Sequence, residues 1–386
     1  MKYFLLPKFH SKALLRIIPV LLILLCARPL VAAENAVLIT LDGLRWQELF
    51  RGLDEDLATH EAYSEQSALI RRRFEGMNSA DSAAAIFPFI YSSVFAGGSY
   101  VGDRDSNSCA AVSNPWYFSY PGYSEILTGV VNESIDSNAK IDNPERTIHE
   151  LLNARADFRG RTAAFGSWDV FPFIFNVDRS EIFVNAFSPL QQPVGEFEQL
   201  LNQLHQDIPT PWPSVRNDAF THHYAMSYLR RERPRLLFIS YGETDDFAHD
   251  GKYDEYILAA NRTDGFIRDV WETLQSIPGY RDNTVLFITV DHGRGEEPIE
   301  TWLHHASKRS IEGYMSSLAQ YEEGIVGSEA TWMAAMGPGV ATQGLVHTGE
   351  LCITSDRIAA TLLELLGEDY RDYNQEMGSP IEQFLQ

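Results

Sequence analysis

The sequence predicts an α/β fold with a mostly parallel central sheet and helices on both faces, resembling in outline a doubly covered open sheet. Two observations predict it: apolar, β-rich runs alternate with helical patterns, and acidic residues recur where those runs end. In chain order, "AVLIT" leads to Asp42, "TAAFGSW" spans 162–168 and "RLLFISYGETD" reaches Asp245. "NTVLFITVD" then ends at Asp291, and "ATWMAAMGP" covers 330–338. Runs without polar alternation suit strands buried on both faces, as in parallel sheets. Between them, Ile257, Ala260, Ile267, Val270, Trp271 and Leu274 fall at helical spacing and predict a helix over 253–276. "SDRIAATLLELLG" offers Ser355 as an N-cap and Gly367 as a stop. Residues 51–115 and 306–327 fit the strand pattern poorly and are expected as surface or cap insertions in a single catalytic domain, 34–386.

Residues 1–33 read as a secretory signal peptide. Lys2, Lys8, Lys12 and Arg16 precede the apolar run "IIPVLLILLCA", and "VAA" places small residues before a cleavage point after Ala33. The run is shorter than the ~20 residues a membrane span needs. Cys26 lacks the small preceding residue that a lipoprotein site asks for. No second long apolar run follows, so no span is expected after cleavage, and the destination is the periplasm or the exterior.

Removing the leader's five lysines and arginines takes the formal charge from −22 to −27. Such a surface disfavours nucleic acid and anionic lipid. An anionic small molecule would need a local positive centre, and a bound metal supplies one economically. Two cysteines remain after cleavage, Cys109 and Cys352, which are able to pair in an oxidising compartment; the sequence does not decide whether they do.

Asp42, Asp245 and Asp291 each sit at or just past a predicted strand end, the edge where open α/β sheets bind ligands. "TDDFAHDG" sets His249 four residues after Asp245, and "VDHGRG" sets His292 directly after Asp291. Carboxylates and imidazoles on turns are zinc or manganese ligands. Five are too many for one tetrahedral ion and suit two ions that clamp the attacking and leaving oxygens of a displacement at phosphorus. One partition gives Asp42, Asp291 and His292 to one metal and Asp245 and His249 to the other, which then lacks a ligand.

The ordered set "VLITLDG" (37–43), "SYPGYSEILTG" (119–129), "ETDDFAH" (243–249), "VDHG" (290–293) and "AAMGPG" (334–339) resembles the alkaline phosphatase superfamily. The nearest pattern is that of the nucleotide pyrophosphatase/phosphodiesterase-type metalloenzymes. The resemblance spans most of the mature chain. It implies a hydrolase with two divalent ions, zinc or else manganese, acting on a small-molecule phosphate ester, monoester or diester, through a covalent phosphoserine. Asp42, Asp291 and His292 would share one ion with the nucleophile; Asp245, His249 and a later histidine would hold the other. Family order places that histidine between the "DHG" turn and the next strand, which admits His304 and His305 and excludes His347. Neighbouring side chains of an extended segment point to opposite sides, so one of the pair reaches the ion. Ala306 is small enough for the close turn that follows the ligand, which favours His305.

The resemblance also sets the nucleophile register. "SYPG…TG" aligns Ser119 with the family's nucleophile and Thr128-Gly129 with its closing pair. Ser119 precedes a proline turn just before the predicted helix, where amides and dipole favour an anion. Ser124 lies inside the helix, where a buried or back-bonded serine is expected. The family's oxyanion-binding Asn would fall within "IDSNAKIDN", making Asn138 and Lys140 candidates for a non-bridging oxygen. This chain departs from the pattern at Gly122, where phosphodiesterases have Asn. Trp116, Tyr117, Phe118, Tyr120 and Tyr123 crowd the nucleophile, as packing or as a pocket for an apolar leaving group. Two other functions compete. A sulfatase would need Arg where Tyr123 stands, and a catalytically silent binding module would not need to keep the ligands together with a hydroxyl.

Overall fold

In the seven-residue strand β1 (Asn35–Leu41) every position is buried. Val37, Ile39 and Leu41 enter one apolar core, and Ala36 and Leu38 enter a second. This two-sided burial is what an unalternating apolar run encodes. The computed structural model describes residues 1–3, 32–76 and 78–386. Most of the expected signal peptide lies outside the described residues, but its expected cleavage point does not, and there Ala33 is buried and its amide donates to the Leu365 carbonyl at 2.8 Å. Val31–Gln386 forms one compact unit. Its further strands are β2 (Gly98–Val101), β3 (Ala110–Ala111), β4 (Thr162–Gly166), β5 (Phe183–Ala186), β6 (Leu236–Tyr241) and β7 (Thr284–Thr289). Then come β8 (Ala330–Thr331), β9 (Met333–Met336), β10 (Gly344–Leu345) and β11 (Ile353–Thr354).

The central sheet runs β10-β2-β9-β7-β1-β6-β4-β5. β7, β1, β6, β4 and β5 are mutually parallel, whereas β9 is antiparallel to both β7 and β2. The mixed α/β architecture matches the sequence expectation. One core holds Ile239 and Ile288 under the helices Asp218–Glu232 and Tyr253–Ser276. The other holds Phe238 and Phe287 under Ser119–Thr128 and Ile358–Leu365. The helix read over 253–276 has those bounds in the structure. Ser355 does not cap the last helix: it opens a 3₁₀ turn, and its hydroxyl donates to the Ala111 carbonyl at 3.4 Å. The run 330–338 is divided between two sheets, β8 pairing with β3 and β9 with β7. Segment 51–115 contributes β2 to the central sheet, together with helices whose Leu57, Ile70, Phe74 and Ile86 are core residues. Segment 306–327 carries a small apolar cluster of its own, Ala306, Ile311 and Ile325. Cys109 and Cys352 form a disulfide beside the β3–β11 pair.

Candidate metal centre and nucleophile

β7, β1 and β6 are neighbours in that order, so their C-terminal ends bring the three acids together. Asp42 follows β1 directly, and Asp291 follows β7 by two residues. Asp245 lies in the first turn of the helix Glu243–His249 that leaves β6. That helix is tied to the β1 turn, because Thr244 Oγ1 donates to the Asp42 carbonyl at 2.6 Å. Gly43 has φ +57°, and a Cβ there would stand 2.8 Å from Arg294 Nη1 and 2.9 Å from Asp245 Oδ1. The glycine of "LDG" is therefore needed twice, for its backbone and for space.

Asp42, Asp291 and His292 form one group and Asp245, His292 and His305 another, with ligand atoms within 4.8 Å of one another in each. In the first group His292 Nε2 lies 3.4 Å from Asp42 Oδ1 and 3.3 Å from Asp291 Oδ2. Its Nδ1 faces the Gly293 carbonyl at 2.9 Å, which assigns the neutral ring's proton to Nδ1 and leaves Nε2 as its lone-pair atom. Asp42 Oδ2 accepts from Tyr123 Oη at 2.8 Å and Asp291 Oδ1 from the Gly43 amide at 3.1 Å. Their other oxygens, Asp42 Oδ1 and Asp291 Oδ2, are buried without a partner. Burial pushes both carboxyls above the usual range. Burial depresses His292, but Asp291 and Asp42 more than offset it and raise the imidazole to about 9. Two orphaned carboxylate oxygens converging on an imidazole Nε2, whose proton a divalent cation would displace, fit such a cation.

His249, outside both of these groups, stands beside the second: its Nε2 is 3.3 Å from Asp245 Oδ2, an i,i+4 pair on one helix turn. His305 Nε2 lies 3.0 Å from His249 Nε2 and 3.6 Å from Asp245 Oδ1. Two imidazole nitrogens and a carboxylate facing one point are again a divalent-ion donor set. Burial raises the Asp245 carboxyl, yet His249 and Arg294 outweigh it and hold it well below the usual range. Among the later histidines, His305 is buried at this point. The His304 ring centre stands 6.5 Å from that of His249. His347 is exposed and faces the Ser106 carbonyl at 2.9 Å.

Ser119 opens the helix Ser119–Thr128, and its Oγ lies 3.2 Å from His292 Nε2. Ser124 is buried within that helix and accepts from Asn143 Nδ2 at 3.1 Å. The approach of this helix explains Gly122, since a Cβ there would be 2.3 Å from the Asp291 carbonyl. Gly129 ends the helix at φ +72°. The preceding loop is held by Asn114 Oδ1, which accepts the Trp116 and Tyr117 amides, and by the Glu125 carboxyl, which accepts the Ser113 and Asn114 amides. Burial raises Glu125 to about 8. Tyr117 sits at φ +60°, a strained position for a bulky residue, with its carbonyl 3.3 Å from His305 Nδ1. Asn138 Oδ1 accepts the Tyr120 amide at 3.0 Å, one residue from Ser119. Lys140 is half exposed, and its Nζ pairs with Asp169 Oδ2 at 2.5 Å.

Solved structures of known proteins share this arrangement of elements. The alkaline phosphatase PafA superposes with a TM-score of 0.58 at 10% identity, covering 92% of this chain and 99% of that one. The fold is that of the alkaline phosphatase superfamily. Murine ectonucleotide pyrophosphatase/phosphodiesterase 5, an inactive form in complex with AMP, gives 0.51 at 12% identity over 91% of this chain and 100% of that one. BT1596, a 2-O GAG sulfatase, gives 0.53 at 14% identity over 91% and 73%. The sequence matches no family model and no curated protein.

Arg294 and the anchoring role of Tyr123 are absent from the sequence-level site. Arg294 lies inside the quoted "VDHGRG", two residues beyond His292. An arginine in a ligand-bearing turn of so acidic a chain was the available signal.

Proposed function

We propose that this chain is an exported two-metal hydrolase of phosphate esters that uses Ser119 as its nucleophile. The observation that carries the reading is the convergence of Asp42, Asp245, His249, Asp291, His292, His305 and Ser119 at the ends of three adjacent strands. Asp42, Asp291 and His292 would hold one divalent ion beside Ser119, and Asp245, His249 and His305 the other; zinc suits this set, with manganese the alternative. Two such ions supply charge stabilisation for the attacking and leaving oxygens of a displacement at phosphorus. The chain's own residues orient the reaction. The helix start carries Ser119 at its first position, the dipole end that would favour an anion. Asn138, whose oxygen accepts the Tyr120 amide, would offer its amide hydrogens to a non-bridging oxygen. Lys140 would join it only by leaving Asp169. Ser119 Oγ gives up its proton and bonds to phosphorus as the ester's P–O bond breaks, the leaving oxygen taking up a proton to depart as the alcohol. Water then cleaves the phosphoserine bond, restoring the serine hydroxyl and releasing phosphate from a monoester or the remaining monoester from a diester.

Sulfate-ester hydrolysis is the competing reading, since a sulfatase shares the fold. Against it, Tyr123 stands where sulfatases need Arg, and its hydroxyl is engaged by Asp42 and Ser240. The Cys109–Cys352 disulfide supports an oxidising compartment, periplasmic or extracellular. The deciding experiment assays chromogenic phosphate monoesters, phosphate diesters and sulfate esters with metal-stripped and zinc- or manganese-loaded protein. Phosphate-ester turnover abolished by chelation and restored by zinc is expected. Turnover of sulfate esters alone, or of no ester at any loading, would overturn the proposal.

A further inference from the structure

Arg294 is fully buried although it carries a charge, and a buried charge must be paired and hydrogen-bonded to persist. Its guanidinium is shared among three acceptors. Nη1 donates to Asp245 Oδ1 in a short contact, Nε donates to the Trp302 carbonyl at 2.9 Å and Nη2 to the Leu303 carbonyl at 2.8 Å. Trp302 and Leu303 immediately precede His304 and His305. One side chain thus joins the carboxylate of one metal-ligand candidate to the backbone that carries another. A neighbouring backbone bond, from the Gly295 amide to the His304 carbonyl at 3.0 Å, fastens the same two strips of chain. The fold makes room for the pair at Gly43, where any Cβ would press on both Arg294 Nη1 and Asp245 Oδ1.

We propose that Arg294 is a positioning residue for the second metal site: it occupies Asp245 Oδ1, turns Oδ2 toward His249 Nε2, and fixes the segment that presents His305. The proposal rests on the two-metal reading and adds a reason why the two sites depend on different parts of the chain. Arg294 makes no hydrogen bond to Asp42, Asp291, His292 or Ser119, so the first site is expected to keep its affinity when Arg294 is replaced. A planar fork with several fixed donors is required, and a lysine ammonium on a flexible stem does not reproduce it. Residues that orient metal ligands in this way alter metal affinity by roughly 10–100-fold when replaced. Coulomb's law alone gives the opposite sign, because deleting a cation beside a ligand carboxylate should strengthen cation binding. The sign of the change therefore separates positioning from simple charge.

The experiment is calorimetric titration of metal-stripped full-length protein with Zn2+, in the wild type, Arg294→Met and Arg294→Lys, with bound zinc counted by elemental analysis. Wild type is expected to bind two ions. Both variants should keep the first at unchanged affinity and bind the second roughly 10–100-fold more weakly. Arg294→Lys retains a buried cation and carries the same readout if the Met variant does not fold. Second-site affinity that is unchanged or tighter, or an equal fall at both sites, overturns the proposal. Wild type binding fewer than two ions would instead overturn the two-metal reading itself, before Arg294 enters.

Discussion

The two halves of the centre are made from the same residue types and live in different surroundings. Asp42, Asp291 and His292 are buried, and no cationic side chain of Lys or Arg is hydrogen-bonded to either carboxylate. Asp245 is partly exposed, its partner His249 is 40% exposed, and Arg294 already takes up one of its oxygens. One half is dry and rich in uncompensated negative charge; the other is open and balanced within the protein. The difference teaches that the buried half has more unmet carboxylate oxygen to offer a cation, whereas in the open half His249 and Arg294 already meet Asp245. Zinc should therefore leave the Asp245 half first as chelator is added.

The largest expected effect tests the nucleophile of the buried half. Ser119→Ala should lower phosphate-ester turnover by several orders of magnitude while elemental analysis still finds two ions; Ser124→Ala, whose hydroxyl only meets Asn143, should keep substantial activity. Phosphate or vanadate trapped on Ser124 would show that the register is wrong. Next comes the open half. His305→Ala should release one ion and cut turnover sharply, and His304→Ala should be far milder, as its ring stands apart from the His249–His305 contact. Full occupancy in His305→Ala would break the distinction between the halves.

A smaller effect concerns how the buried half is oriented. Tyr123→Phe removes the hydroxyl that donates to Asp42 Oδ2 and should weaken the first ion by roughly 10-fold, leaving the second unchanged, as read by zinc titration. Equal weakening at both sites would argue that Tyr123 supports the fold and not the ligand.

The last contrast sets His292 against His149. Carboxylates raise His292, whereas His149 is buried between Phe175 and Phe238 with neither ring nitrogen hydrogen-bonded, and burial lowers it to about 3. Its folded value lies below its unfolded one, so the stability it contributes is present above about 6.5 and is lost as pH falls toward 3. Between pH 7 and pH 5 this proton linkage costs about 2 kcal/mol. His149→Phe should remove that part of the acid sensitivity, checked by denaturant midpoints at the two pH values. An unchanged difference between them would assign the acid sensitivity to other groups.

Much of the site was legible because its signals are local. Unalternating apolar runs marked β1, β6 and β7, and an acid at or just past each run marked the ligand edge, so Asp42, Asp245 and Asp291 could be singled out from spacing alone. His249 and His292 followed from adjacency to those acids. The insertion expected over 51–115 shows where local reading runs out: β2 has four residues, and its place in the sheet comes from pairing with β9, more than two hundred positions away. Lys140 likewise gave no local sign of Asp169, 29 residues on.

The sequence by itself determined the kinds of element, the ends at which chemistry-bearing residues fall and the surplus of negative charge, because periodicity and adjacency are properties of a few neighbouring residues. Tertiary structure alone decided that β7, β1 and β6 lie side by side, that His305 and not His347 meets His249, and that Cys109 reaches Cys352. It also decided that Gly122 lets the Ser119 helix approach Asp291, and that Arg294 links Asp245 to the His305 segment. Each of these is a contact between residues far apart in the chain, fixed by strand order and by the close packing of side chains in three dimensions.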